Sequence, residues 1–146
     1  MTVEVNYIGV VLAAASSMAV GFIWYAPKVF GNRWAKLTGI TQAQMKKGMA
    51  RPMLITFAAS LITAYILAYV TYISHVFFKH SFLIDALTTA FWLWLGLTAM
   101  RILVHDIFER RPTKLTLLNI ANEFAIIMVM AFVIGLAGIH VATQVN

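Results

Sequence analysis

Four long apolar runs, separated by short polar segments, dominate this sequence. The runs cover about residues 5–26, 52–77, 82–108 and 115–139. A helix that crosses the hydrocarbon core of a bilayer needs about 20 mostly apolar residues, so each run is long enough to span it. The pattern predicts an all-α protein, a bundle of four transmembrane helices that forms a single membrane domain over residues 1–146.

The connection between the first two runs, residues 27–51, has a different character. It carries six basic residues and no acidic one. Thr41 is a suitable N-cap for a short helix over residues 42–50, and Trp34 and Met45 help to give the connection an apolar side. We predict a short amphipathic helix that lies at the membrane interface with its lysines in water.

Composition supports a membrane protein. The chain is 62% hydrophobic and 11% charged, whereas soluble domains are typically about 45–50% apolar and about 25% charged. The lipid bilayer is therefore the expected partner. A chain of 146 residues with four spans has no room for a separate soluble catalytic domain, so any chemistry must lie in the bundle or its loops.

The distribution of basic residues predicts the orientation. The net charge is +6, and ten of the eleven Lys and Arg residues lie in the first connection, late in the third run or near the turn that follows it. Because Lys and Arg accumulate in cytoplasmic loops, we expect a multi-pass protein of the inner membrane with both termini outside. Nucleic acid is not an expected partner, because the chain has no polar fold to display a basic face.

Polar side chains gather in the inner halves of the third and fourth runs. Arg101 and Glu123 lie at similar depths, roughly 10 and 12 Å from the turn at 1.5 Å per residue. A lone charge at such depth costs about 3 kcal/mol or more, so we predict an Arg101–Glu123 ion pair. The cluster is either a polar pathway for a proton, ion or polar substrate, or a structural clasp that fixes helix register. Its members are Arg101, His105, Glu109, Asn119, Asn122 and Glu123.

Small residues recur every four positions along the first run, at Gly9, Ala13, Ser17 and Gly21. Such a stripe lets another helix backbone approach closely. It predicts helix packing, either within the chain or across a homodimer, and it carries no chemistry of its own.

The outer side holds His75, His80, Asp85 and His140. Imidazole and carboxylate groups can bind zinc or copper, but no recognised ligand spacing occurs, so we expect neither a metal site nor a cofactor. The sequence has no cysteine, nucleophile elbow, phosphate-binding glycine loop or metalloprotease helix. These absences disfavour an enzyme, and we assign no catalytic residue.

Two segments resemble the bacterial domain-of-unknown-function 1761 family. Residues 21–34, GFIWYAPKVFGNRW, resemble its G-x-x-W-Y-S/A-P-x-x-F-G-x-x-W signature, and residues 107–119, IFERRPTKLTLLN, resemble its F-E-G/R-R-P-x-x-L-x-x-I/L-N motif. The resemblance implies a four-helix membrane protein of unassigned activity. It also implies a shared signature at the inner interface, comprising Trp24, Tyr25, Pro27, Phe30, Gly31, Arg111 and Pro112.

Two functions remain open at this point. The first is a small transporter- or channel-like bundle that uses the polar cluster. The alternative is a non-catalytic accessory or scaffold protein with a structural buried ion pair. For the inner interface we expect the first connection to pack under the 109–114 turn, with Glu109 paired to one of its basic residues.

Overall fold

The computed structural model describes residues 3–41, 44 and 48–138. Within these ranges all regular structure is helical. Four helices are long and apolar enough to cross a membrane, which confirms the predicted all-α fold, and their ends lie within about two residues of the predicted bounds. They are α1 (Tyr7–Trp24), α3 (Ala50–Phe78), α4 (Phe82–Phe108) and α5 (Thr113–Ala137), with the short α2 (Asn32–Thr38) between α1 and α3.

The four long helices form a closed ring in which α1 and α4 each contact both α3 and α5. Short turns join α3 to α4 and α4 to α5, so these neighbours run antiparallel. One end of the bundle, here called the basic end, is formed by residues 25–41 and the 109–112 turn. The opposite end holds the start of α1, the 79–81 turn and the end of α5.

Small residues form most of the contact between helices. Ala13, Ala64 and Ala86 have no exposed surface. A Cβ atom added to Gly135 on α5 would lie 2.8 Å from the Cα of Leu83 on α4, so the two backbones nearly touch. Since lipid gives helices no hydrophobic reason to associate, close van der Waals contact of this kind is what holds a membrane bundle together.

Asn6 joins the first and last helices. Its side-chain oxygen accepts a hydrogen bond from the Gly9 amide (3.0 Å) and so caps α1. Its side-chain nitrogen donates to the Ala137 carbonyl at the end of α5 (3.0 Å). One residue thus satisfies backbone groups at the ends of two helices.

At the basic end, the chain reverses through a π-helical turn, Pro27–Gly31. The Gly31 amide donates to the Ala26 carbonyl (3.0 Å), and a Cβ atom at Gly31 would collide with the Tyr25 carbonyl oxygen. Glycine is therefore required at this position. The aromatic pairs Trp24–Phe30 and Tyr25–Trp34, with ring centroids 4.5 and 5.4 Å apart, pack the reversal together.

The first connection contains a helix that the sequence analysis does not predict. The structure places α2 at Asn32–Thr38, ended by Gly39 in a left-handed conformation (φ 73°). The predicted helix over 42–50 falls largely outside the described residues, which include only 44 and 48–50 of it. α2 contacts α5, so this connection folds back against the bundle.

Replacing Gly9 with Leu should lower the melting temperature, because a Cβ atom there would lie 2.8 Å from the Ala137 Cβ. Overpacking a tight core costs about 1–3 kcal/mol. Gly21→Leu is the matched control, since it lies on the same helix and its Cβ would meet no atom within 4 Å. Thermal unfolding in detergent, followed by circular dichroism, compares the two; equal losses would contradict the packing role of Gly9.

Candidate functional site

A cavity of about 570 Å³ lies among α1, α2, α3 and α5 near the basic end. Half of its fourteen lining residues are Met, Phe, Trp, Pro or Ile. The polar side chains in the wall are Ser17, Tyr25, Thr56, Ser60, Asn122 and Glu123. We call this space the Glu123 cavity, because Glu123 supplies the one ionisable carboxyl group of its described lining.

The small-residue stripe of α1 leads from the core to this cavity. Gly9, Ala13 and Ser17 are buried, and the Ser17 and Ser60 hydroxyl oxygens form a 2.9 Å hydrogen bond between α1 and α3. Gly21 continues the stripe, but a Cβ there would meet nothing within 4 Å, and the residue lines the cavity. The stripe thus packs within the chain at three positions, while the homodimer stays a prediction.

The predicted Arg101–Glu123 ion pair is wrong. Arg101 is exposed on α4, and no ion pair joins it to Glu123 within the described part of the chain. Glu123 and its neighbour Asn122 lie on the side of α5 that faces the end of α1, where the Asn122 side-chain nitrogen donates to the Tyr25 hydroxyl (3.3 Å). Glu123 thus lines the cavity, whereas Arg101 lies exposed on α4.

Glu123 therefore has an unusual environment for an acidic residue. It is half-buried in the cavity wall, and no Lys, Arg or His lies within ion-pair distance of it in residues 3–41, 44 and 48–138. A charged side chain in an apolar bundle is costly without a partner. The carboxyl group is thus free to take a proton or a cation from the cavity.

Asn122 contributes a second acceptor to the lining of the cavity. The residue is 4% exposed, and its side-chain oxygen Oδ1 has no hydrogen-bond partner among the described residues. An unsatisfied buried acceptor costs about 1–3 kcal/mol. A ligand with a hydrogen-bond donor would remove that cost.

Tyr25 is a further polar residue in the cavity lining. Burial, and secondarily the nearby Glu123 carboxylate, raises the pKa of the Tyr25 hydroxyl above its ordinary value. The phenol therefore stays protonated at neutral pH. It accepts the hydrogen bond from Asn122 and keeps its own proton for another acceptor.

The rest of the predicted polar cluster forms a separate network at the α4–α5 turn. His105 Nδ1 lies 3.1 Å from the Glu109 carboxylate, and Arg111 pairs with Glu109. Glu109 is therefore paired with His105 and Arg111, and not with any described basic residue of the first connection as we expected. Asn119 is half-buried on α5, between this network and the Glu123 cavity.

Asp106 is the centre of this turn network, and the sequence reasoning missed it. It is 5% exposed and accepts a hydrogen bond from the Thr116 hydroxyl across the turn (2.8 Å). Arg111 lies 3.7 Å from its other carboxylate oxygen and donates through its backbone amide to the Asp106 carbonyl. The polar cluster predicted from the sequence includes His105 and Glu109 of α4 but not Asp106.

His105, Asp106 and Glu109 also bring ligand atoms within 4.8 Å of one another. The Arg111 guanidinium already sits against both carboxylates, and Thr116 occupies one oxygen of Asp106. A cation would have to displace these partners, so the trio is better explained as an ion-pair network. The expectation that the chain binds no metal stays a prediction.

At the opposite end of the bundle, the Asp85 carboxylate contacts both His75 and His80. It is 1% exposed, and its two oxygens lie 2.8 Å from His75 Nδ1 and 3.1 Å from His80 Nδ1. A carboxylate only accepts, so each imidazole donates through Nδ1. Asp85 also lies in the first turn of α4, where the helix dipole stabilises an anion. His140 lies outside the described residues.

Comparison with known proteins confirms the family resemblance. A family model described as "Protein of unknown function (DUF1761)" matches residues 8–135. That range contains both sequence signatures and all the polar groups of the Glu123 cavity. No curated protein and no solved structure matches the chain.

Asp106→Ala should destabilise the protein by about 1–3 kcal/mol, because it leaves the buried Thr116 hydroxyl without its acceptor. Glu109→Ala is the control at the same turn: its carboxylate is exposed, and exposed ion pairs contribute only about 0–1 kcal/mol. Melting temperatures in one detergent give the comparison. A larger loss from Glu109→Ala than from Asp106→Ala would show that the turn depends on the surface pairs instead.

Proposed function

This chain belongs to the DUF1761 family of integral membrane proteins, and we propose that it is a small transporter that binds its substrate in the Glu123 cavity. The observation that carries the proposal is a half-buried carboxyl group without a basic partner in the described chain, on the wall of a cavity of about 570 Å³. Pockets for small molecules typically measure about 300–1,000 Å³, so the space suits an organic substrate.

The alternative, a scaffold with a structural clasp, accounts less well for Glu123. A clasp needs paired charges, and the paired buried acids of this protein are Asp85 and Asp106. These two residues join α3 to α4 and α4 to α5 at the turns. Glu123 joins no helices by an ion pair within the described residues, so helix register does not explain it.

In the proposed mechanism, Glu123 holds either a proton or a cationic substrate. One carboxylate cannot carry both, so binding of the substrate releases the proton and protonation releases the substrate. Tyr25 is the other titratable group in the described lining, and α2 and α3 contribute none. The Tyr25 hydroxyl stays protonated at neutral pH, so it does not compete with Glu123 for the exchanged proton.

We further propose that the basic end faces the cytoplasm of a cell with an inner membrane, with both termini outside. Arg33 and Arg51 belong to the connection at this end, and Arg110 and Lys114 to the turn beside it. The enrichment of Lys and Arg in cytoplasmic loops supports this orientation. The Glu123 cavity then lies nearer the cytoplasmic side.

The test is flux in proteoliposomes that contain a pH-sensitive dye and carry a pH gradient. Organic cations, anions and neutral compounds are added in separate panels. We expect one class to dissipate the gradient, and Glu123→Gln to reduce that flux by about tenfold or more, since losing one side of a buried charge pair costs at least about 2 kcal/mol.

Glu109→Gln is the matched control, because it removes an exposed carboxylate of the turn network and leaves the cavity intact. It should keep the flux of the unaltered protein. No gradient-dissipating class, or equal flux in the Glu123→Gln variant, would overturn the proposed transport.

A further inference from the structure

The charge of the Glu123 cavity defines the charge of what it binds. Its described lining contains one carboxyl group and no Lys, Arg or His. An ionised carboxylate in apolar surroundings requires a positive partner. The cavity therefore selects a cation over an anion.

The hydrogen-bonding groups of the wall narrow the class of cation. Asn122 Oδ1 is buried and without a donor among the described residues, and it belongs to the residue next to Glu123. Amide and carboxylate oxygens only accept hydrogen bonds. A cation that satisfies both must bring its own donors, and an ammonium group with N–H bonds does so.

The remaining wall selects an organic body over a bare metal ion. Met18, Met53, Phe22 and Trp34 contribute apolar surface, whereas hard metal ions need about six or more oxygen ligands. The Ser17 and Ser60 hydroxyls are already bonded to each other. Flexible methionines adapt to different shapes, and an indole ring such as that of Trp34 attracts cations.

We infer that the Glu123 cavity binds a protonated primary or secondary amine with an apolar or aromatic body. The ammonium N–H groups donate to the Glu123 carboxylate and to Asn122 Oδ1, and the body lies against the methionine and aromatic side chains. This inference rests on the proposed function, because it names the substrate class of the same site.

A pair of probes that differ by one methyl group tests the assignment. N-methyl-2-phenylethylamine is protonated at neutral pH and carries two N–H bonds, whereas protonated N,N-dimethyl-2-phenylethylamine has the same charge and body with one. The dimethyl probe donates its single N–H to the Glu123 carboxylate and leaves Asn122 Oδ1 without a donor. We expect it to bind about tenfold or more weakly, as measured by isothermal titration calorimetry on the full chain in detergent.

Single-residue variants test which groups of the cavity wall cause the difference in affinity between the two probes. Glu123→Gln should abolish binding of both probes. Asn122→Leu, which keeps the side-chain size, should remove the preference for the probe with two N–H bonds. Asn119→Leu is the matched control: it makes the same substitution on α5 outside the described lining of the cavity, so the preference should persist. If Asn122→Leu does not fold, the probe pair on the unaltered protein still decides.

Three results would overturn the assignment: equal affinity for the two probes, tighter binding of 3-phenylpropanoate than of the amine, or competition by sodium ions alone at concentrations that match the probe. Its failure is distinguishable from failure of the transport proposal. Amine binding without Glu123-dependent flux refutes transport alone. Glu123-dependent flux of another compound class, with no amine binding, refutes the ligand assignment alone.

Discussion

A carboxyl group inside an apolar helical bundle has to find its partners within the protein, because lipid offers none. Asp85 and Asp106 meet this constraint at the two ends of α4. Each accepts hydrogen bonds from a residue across a turn, Asp85 from His75 on α3 and Asp106 from Thr116 on α5. The two short turns of the bundle are thus closed by buried acids, and the register of three helices follows from these contacts.

Glu123 also depends on partners within the protein, but no ion pair is among them in the described chain. Its surroundings provide the Tyr25 hydroxyl and the Asn122 amide but no positive charge within the described chain. The contrast with Asp85 and Asp106 is the main reason for assigning a function to this residue. Small residues make that arrangement possible, since the stripe that packs α1 tightly at Gly9 and Ala13 opens at Gly21 to form one wall of the cavity.

Sequence reasoning located the helices well because length and hydropathy are local properties that a membrane imposes on each span. It located the site less well. Depth along a helix follows from counting residues, which predicts similar depths for Arg101 and Glu123. Which side of a helix faces which neighbour depends on packing over the whole bundle, and the count carries no information on it. The sequence pattern places Asn122 and Glu123 in one polar cluster but assigns Tyr25 to the inner-interface signature, so it does not bring the three residues together.

The hydrogen bond between Asn6 and the Ala137 carbonyl joins groups 131 positions apart in the chain, and this separation has a consequence for biogenesis. Membrane proteins are synthesised from the N-terminus, so α1 is made before α5. It lacks its contact with α5 until that helix enters the bilayer. Before α5 enters, the ring of helices is open, and the Glu123 cavity lacks the side that α5 forms. The proposed binding site is therefore completed only when α5 enters the bilayer, in the same step that closes the ring of helices.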